Sequence, residues 1–210
     1  MNDLPAHEGT SRDLPAFLTE FLRRPMIVGA VAPSGPDLAG DITAAVPRTG
    51  EPVVVELGPG TGAFTGAVQR RLGGRGQHVA IEVNPRLARR VADRHPAVRV
   101  VVADAARIGD VLSSYRLPAA DVVVSGLPWA AFSERRQRSM LSRVVAALSA
   151  GGAFTTFAYR HVRWTGPARR FHGLLTESFE EVTVGRTVWR NLPPALVYHC
   201  RRPVRIAATS

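Results

Sequence analysis

The chain has 210 residues, enough for one compact domain and little beyond it. Hydrophobic residues make up 45% of it, which excludes wholesale disorder, and a single cysteine, Cys200, excludes an intrachain disulfide or a thiolate metal cluster. The formal net charge is +10 and all 27 basic residues are arginine, so polyanions are the expected partners: nucleic acid or an anionic membrane surface.

Residues 1–12 are polar and without period, and are expected to be a flexible N-terminus. The acids Asp3, Glu8, Asp13 and Glu20 precede any apolar run, so no signal peptide is expected, and Met26 to Ala32 is too short to span a bilayer. From Asp13 to Arg24, Leu14, Phe17, Leu18, Phe21 and Leu22 recur at helical spacing, and Pro25 stops the helix. A second helix is predicted over about 37–46. Residues 13–46 therefore form an N-terminal helical segment, a candidate membrane-surface element and lid, ahead of a catalytic-type domain over 47–210.

An alternating series follows. Strands are predicted over 52–56, 78–82, 98–102, 121–125 and 153–159. Helices are predicted over 61–72, 85–94, 133–148 (ended by Gly151-Gly152) and 167–178. Two last strands, 181–189 and 195–201, flank the turn Asn191-Leu192-Pro193-Pro194. Apolar strands separated by helices imply an α/β fold: a mostly parallel sheet with helices on both faces. The last pair suits an antiparallel C-terminal hairpin at one edge.

The strongest local signal is Glu56-Leu57-Gly58-Pro59-Gly60-Thr61-Gly62, between the first strand and its helix. Gly58, Gly60 and Gly62 permit a tight turn that a ligand can approach closely. Gly58-x-Gly60-x-x-Ala63 also satisfies a loose dinucleotide fingerprint. Three acids at successive strand ends shift the balance: Glu56 before the glycines, Glu82 placed to accept ribose hydroxyls, and Asp104, beside Ala105, placed to accept from an adenine amino group. A pyrophosphate would be repelled by Glu56, whereas S-adenosylmethionine carries an ammonium and a sulfonium and no phosphate. Each acid alone reads equally well as a helix cap or a solvated side chain.

These motifs, with Ser125-Gly126-Leu127-Pro128-Trp129 after the fourth strand, resemble those of Rossmann-like S-adenosylmethionine-dependent methyltransferases over about residues 50–160. The resemblance implies a seven-stranded sheet, with Glu56 and the glycines at the methionine end, Glu82 at the ribose, and Asp104 at the adenine. The Ser125–Trp129 string is similar to the acceptor motif of amino-group methyltransferases and of ribosomal RNA adenine dimethyltransferases, with serine in place of the amide or acid. Ser125, the Leu127 carbonyl and Tyr159 are the candidate groups around an acceptor amine. Trp129 is either a cation–π face for that amine or a core aromatic, and Tyr159 either orients the amine or tethers a loop. His161 reads as a surface residue.

Residues 17–40, the Ser125–Pro128 string and Thr187–Ala195 resemble bacterial phospholipid N-methyltransferases, which extends the likeness to about 13–203. It implies phosphatidylethanolamine as substrate, methylated toward phosphatidylcholine; the single cysteine fits a reducing cytoplasm, and the basic charge would draw the protein to the inner face of the cell membrane. The 13–24 helix either lies in that interface or packs on the sheet. Arg190 is a candidate phosphate ligand, and Arg135, Arg136 and Arg138 read better as a solvated helix face than as headgroup ligands. RNA adenine methylation and a small-molecule amine acceptor are the alternatives. No metal site and no protein partner are expected.

Overall fold

A computed structural model describes residues 34–204; the helix expected over 13–24 lies outside them. Seven strands form one sheet: β1 (Val53–Leu57), β2 (Gln77–Glu82), β3 (Arg99–Val102), β4 (Ala120–Ser125), β5 (Leu148–Tyr159), β6 (Phe179–Val184) and β7 (Ala195–Pro203). Their spatial order is β3-β2-β1-β4-β5-β7-β6. β7 runs antiparallel between β5 and β6, and the pairings among β1 to β5 are parallel. The expected mixed sheet with its antiparallel closing pair is present.

The strands form because β-branched runs are buried on both faces: all five residues of β1 are buried. On one face, Val55 and Leu57 pack with Ile108, Leu141, Val144 and Leu175, from α4 (Ile108–Ser114), α5 (Glu134–Ala147) and α6 (Gly166–Ser178). On the other, Val54, Val122 and Val197 pack with Leu38, Ile42, Phe64 and Val68, from α1 (Pro36–Ile42) and α2 (Ala63–Leu72). Each such Val or Leu side chain contributes about 1.5–3 kcal/mol of burial, so neither face can be left bare. The remaining helix, α3 (Pro85–Arg94), starts on an Asn84 cap that accepts from the N–H groups of Arg86 and Leu87.

Several boundaries differ from the sequence reading. The Gly151-Gly152 pair does not end a helix. α5 stops at Ala147, and the glycines lie inside β5, where the register with β4 shifts between Ala120 and Val122. A Cβ at Gly152 would come within 2.9 Å of the Ser149 carbonyl, which explains glycine at this irregularity. β6 ends at Val184 rather than residue 189. Beyond it the chain leaves the ladder, with only a bridge between Val188 and Ala195. α4 was not expected.

Candidate active site

Parallel strands direct the carboxyl ends of β1, β2 and β4 to one edge, and the sequence-predicted residues gather there. After β1 the backbone turns through Gly58, Gly60 and Gly62, all at positive φ. The turn is pinned between its neighbours: Gly58 N–H donates to the Ile81 carbonyl (2.9 Å) and Gly126 N–H to the Leu57 carbonyl (2.8 Å). A Cβ at Gly126 would lie 2.6 Å from the Gly58 carbonyl, and one at Gly58 would lie 2.6 Å from a Leu127 methyl. The loops after β1 and β4 therefore touch only because both residues lack side chains.

Glu82 is buried at the end of β2. One carboxylate oxygen accepts from Gly60 N–H (3.1 Å), the other from Asn84 N–H (3.0 Å). Burial pushes its carboxyl pKa above the ordinary value, and the backbone donors oppose that rise. The Val83 N–H is a third backbone donor to it, and since a carboxylate has about four acceptor sites, capacity for a ligand remains. Glu56 is fully buried on β1, with Oε2 3.2 Å from His78 Nε2. The Gln69 amide nitrogen lies 2.9 Å from His78 Nδ1. An amide nitrogen only donates, so Nδ1 accepts and the ring proton sits on Nε2, on the Glu56 side. Glu56 Oε1 has no hydrogen-bond partner among the described residues. His95 lies against the outside of the same turn, 3.5 Å from where a Gly62 Cβ would sit. Burial lowers its pKa, with Glu56 opposing. Neither histidine stood out in the sequence, because nothing local marks a contact made between strands.

Asp104 caps the short turn Ala105–Arg107 by accepting from Ala106 N–H, and its second oxygen accepts from Arg136 at 2.9 Å. Arg136 also lies over the Phe132 ring at 5.5 Å. Of the arginines expected on a solvated face of α5, Arg136 is therefore corrected: it reaches across the cleft, whereas Arg135 and Arg138 are exposed. Ala105 is buried beside it. Glu82, Asp104, Ala105, Leu127 and Arg136 line a narrow cleft of only about 20 Å³.

The acceptor string is rebuilt more sharply. Ser125 is fully buried, and its hydroxyl oxygen accepts from Leu127 N–H (3.3 Å) and from the Trp129 indole N–H (2.9 Å). Trp129 is only 2% exposed. It stacks on Phe171 at 4.6 Å and meets Phe154 and Phe132 edge-on. Of its two readings the core aromatic fits this packing: one face is stacked on Phe171, and the residue also lines the cavity beside it. Next to it opens an apolar cavity of about 420 Å³, lined among others by Leu127, Ala131, Phe157, Tyr159, Val162 and Ala168. Tyr159 is half-buried there, stacked on His161, and burial raises its phenol pKa. Arg190 does not line this cavity. It is highly exposed, 3.8 Å from Asp37, beside a separate hollow of about 250 Å³ at the start of α1. Among the described residues no group of acids, histidines and cysteines could hold a metal ion.

Glycine turn, strand-end acids and the crevice at the sheet's carboxyl edge define a nucleoside-binding α/β enzyme. Residues 54–152 match the family described as "Methyltransferase domain". The chain is 31% identical over 193 residues to an ornithine lipid N-methyltransferase of Singulisphaera acidiphila, covering 90% of this chain and 96% of that one. In fold it is similar to an S-adenosylmethionine-dependent O-methyltransferase of Thermotoga maritima (TM-score 0.63, 17% identity, 89% of this chain and 72% of that one). It is also similar in fold to a putative rRNA methylase of Clostridium thermocellum (TM-score 0.56, 15% identity, 81% and 97%). The chain belongs to the Rossmann-like S-adenosylmethionine-dependent methyltransferases, and S-adenosylmethionine is its cofactor. The residues fit that molecule: an unpartnered buried carboxylate oxygen suits a cationic ligand, and a side chain at Gly58 or Gly126 would crowd the turn.

Proposed function

We propose that this enzyme methylates the primary amine of a lipid headgroup, with phosphatidylethanolamine as acceptor and phosphatidylcholine as the end of the series. The observation that carries the reading is the meeting of two unlike cavities at one residue: Leu127 lines both the narrow cleft that also holds Glu82, Asp104 and Arg136 and the wide apolar cavity beside Tyr159. A lipid needs both, a reactive head near the cofactor and apolar walls for the body behind it.

When bound, S-adenosylmethionine supplies a methyl group on a cationic sulfur, open to direct attack by an unprotonated amine. Glu56 faces the methionine end, Glu82 holds the ribose, and Asp104 with Ala105 holds the adenine once Asp104 exchanges Arg136. The glycines 58, 60 and 62 let the backbone approach. The apolar walls favour the neutral amine over the ammonium, and alignment supplies much of the rate. The Leu127 carbonyl and the Tyr159 hydroxyl orient the amine. A phenol pKa raised by burial keeps Tyr159 a hydrogen-bonding group rather than a base. Ser125 is a positioning residue: both acceptor sites of its hydroxyl are spent holding the turn.

Ornithine lipid is the second reading, favoured by the name of the relative from Singulisphaera acidiphila. Among the described residues no helix is long and apolar enough to cross a membrane. We place the protein peripherally on the inner membrane face, with residues 13–24 as one contact and Arg190 as a phosphate contact near the bilayer. Mass spectrometry of lipids from cells with and without the protein tests the substrate. Mono-, di- and trimethylated phosphatidylethanolamine are expected; methylated ornithine lipid alone replaces the first reading by the second, and an unchanged lipid profile contradicts both.

A further inference from the structure

Among the described residues, the three most exposed large hydrophobic side chains are Trp164 (68%), Trp189 (64%) and Leu192 (63%). Trp164 sits on a segment that borders the apolar cavity, and Trp189 and Leu192 sit on a second segment held against it. Trp164 follows the short turn Arg160–Val162 at the end of β5; Trp189 and Leu192 belong to the connection between β6 and β7. The segments are joined, since Arg160 N–H donates to the Pro194 carbonyl at 2.8 Å. Tyr159, Val162 and Thr165 of the first segment line the cavity itself.

Each exposed indole carries a cation. The Arg163 guanidinium lies 4.4 Å from the Trp164 ring centre, and that of Arg160 lies 5.1 Å from the Trp189 ring centre. The two segments carry no acids of their own: residues 157–176 and 182–204 contain no aspartate or glutamate, and Asp37 of α1 pairs with Arg190 and leaves Arg160 and Arg163 on the indoles. A positive surface studded with tryptophan costs exposed apolar area in water and gains in a bilayer interface. There indoles settle among the headgroups, and each arginine is attracted to anionic lipid.

Resting on the lipid-acceptor reading, we propose that Trp164, Trp189 and Leu192, with Arg160 and Arg163, are the face by which the protein docks on an anionic bilayer. The cavity mouth then opens onto the lipid. Single-stranded RNA could stack on the same indoles. The cavity walls favour lipid: Pro128, Ala131, Phe157 and Ala168 are apolar, and among the described residues the only hydroxyls that line it are those of Tyr159, Thr165 and Tyr198, too few to read the edges of a base.

The test uses the full chain with phosphatidylcholine vesicles, with and without phosphatidylglycerol, carrying bromine on the acyl chains as a fluorescence quencher. The chain has three tryptophans, and the buried Trp129 is common to every variant, so the quenching lost in the double variant reports Trp164 and Trp189. Quenching is expected with anionic vesicles and at least tenfold less binding by the Trp164→Ser/Trp189→Ser double variant. S-adenosylhomocysteine affinity and methylation of a water-soluble short-chain phosphatidylethanolamine should remain at wild-type level, which also shows that the variant is folded. Arg160→Gln/Arg163→Gln should erase the preference for anionic over zwitterionic vesicles. Undiminished vesicle binding by the double tryptophan variant overturns the proposal, as does quenching displaced by RNA but not by lipid. If the wild type leaves short-chain lipid unmethylated while its vesicle binding follows the tryptophans, the docking face stands and the acceptor reading falls.

Discussion

The two halves of the sheet's carboxyl edge are built on opposite principles. Beyond β1 and β2 the site carries charged groups and is tied down: Glu82 holds the backbone N–H groups of Gly60 and Asn84, Asp104 holds Arg136, and the free volume is about 20 Å³. Beyond β4 and β5 it is apolar and open, about 420 Å³ walled by rings and alanines. A ligand of fixed shape and charge is read by directional bonds held in place in advance; an acceptor with a variable apolar body is read by volume. The contrast separates what an alteration on each side should change.

The largest effect is expected from Glu82→Ala. Two hydrogen bonds to a charged group contribute roughly 1.5–3 kcal/mol each, so cofactor affinity should fall by about 100-fold or more while the acceptor cavity is untouched. Calorimetric titration with S-adenosylhomocysteine checks this, and unchanged affinity would remove Glu82 from the ribose. On the other side, Ala131 is exposed and lines the apolar cavity, so Ala131→Trp narrows it without overpacking the core. A rise of about tenfold in the KM for lipid is expected with cofactor affinity unchanged, since a lost apolar subsite costs on the order of 1–2 kcal/mol. Weakened cofactor binding in that variant would show that the two halves are not separate.

Ser125→Ala tests the seam between them. Losing the acceptor for the buried Trp129 indole should cost about 1–3 kcal/mol of stability, seen in denaturant unfolding, with a shift in tryptophan emission. A fall in kcat with stability and emission unchanged would instead place the serine at the acceptor. The smallest effect concerns pH. Burial raises the Glu82 pKa, so the folded protein holds that proton more tightly than the unfolded chain. Its contribution to ligand-free stability is fully present below the ordinary carboxylate range and is lost as pH rises through the raised value. Glu82→Gln should remove that part of the slope in a melting-temperature series. An identical slope in both proteins contradicts the assignment.

The same division decides what the sequence could disclose. The polar half was largely legible, because its elements are local: a glycine turn after a run of valines, and an acid at the end of each following strand. The contact from Asp104 to Arg136 was not, since it joins residues 32 positions apart and local pattern gave Arg136 to solvent. Trp129 had two readings, and packing chose between them. Phe154 and Phe171, which enclose it, arrive from β5 and α6, beyond the reach of a five-residue motif. α4 was hidden because Ile108–Ser114 carries a glycine and a β-branched valine, both poor helix formers. It forms because Ile108, Val111 and Leu112 are buried against the sheet. The last strand pair was overextended for the opposite reason: residues 185–189 look strand-like, but after the Gly185 N–H bond to the Val197 carbonyl the chain leaves the ladder and meets β7 again at the Val188–Ala195 bridge.

The lipid acceptor is the central claim, and methyl transfer from labelled S-adenosylmethionine measures it directly. The purified protein would be offered vesicles of phosphatidylethanolamine, vesicles of ornithine lipid and ribosomal RNA in parallel. Label in the organic phase, greatest with phosphatidylethanolamine, is the predicted result. Label recovered only with the RNA, or transferred to neither lipid, would contradict it.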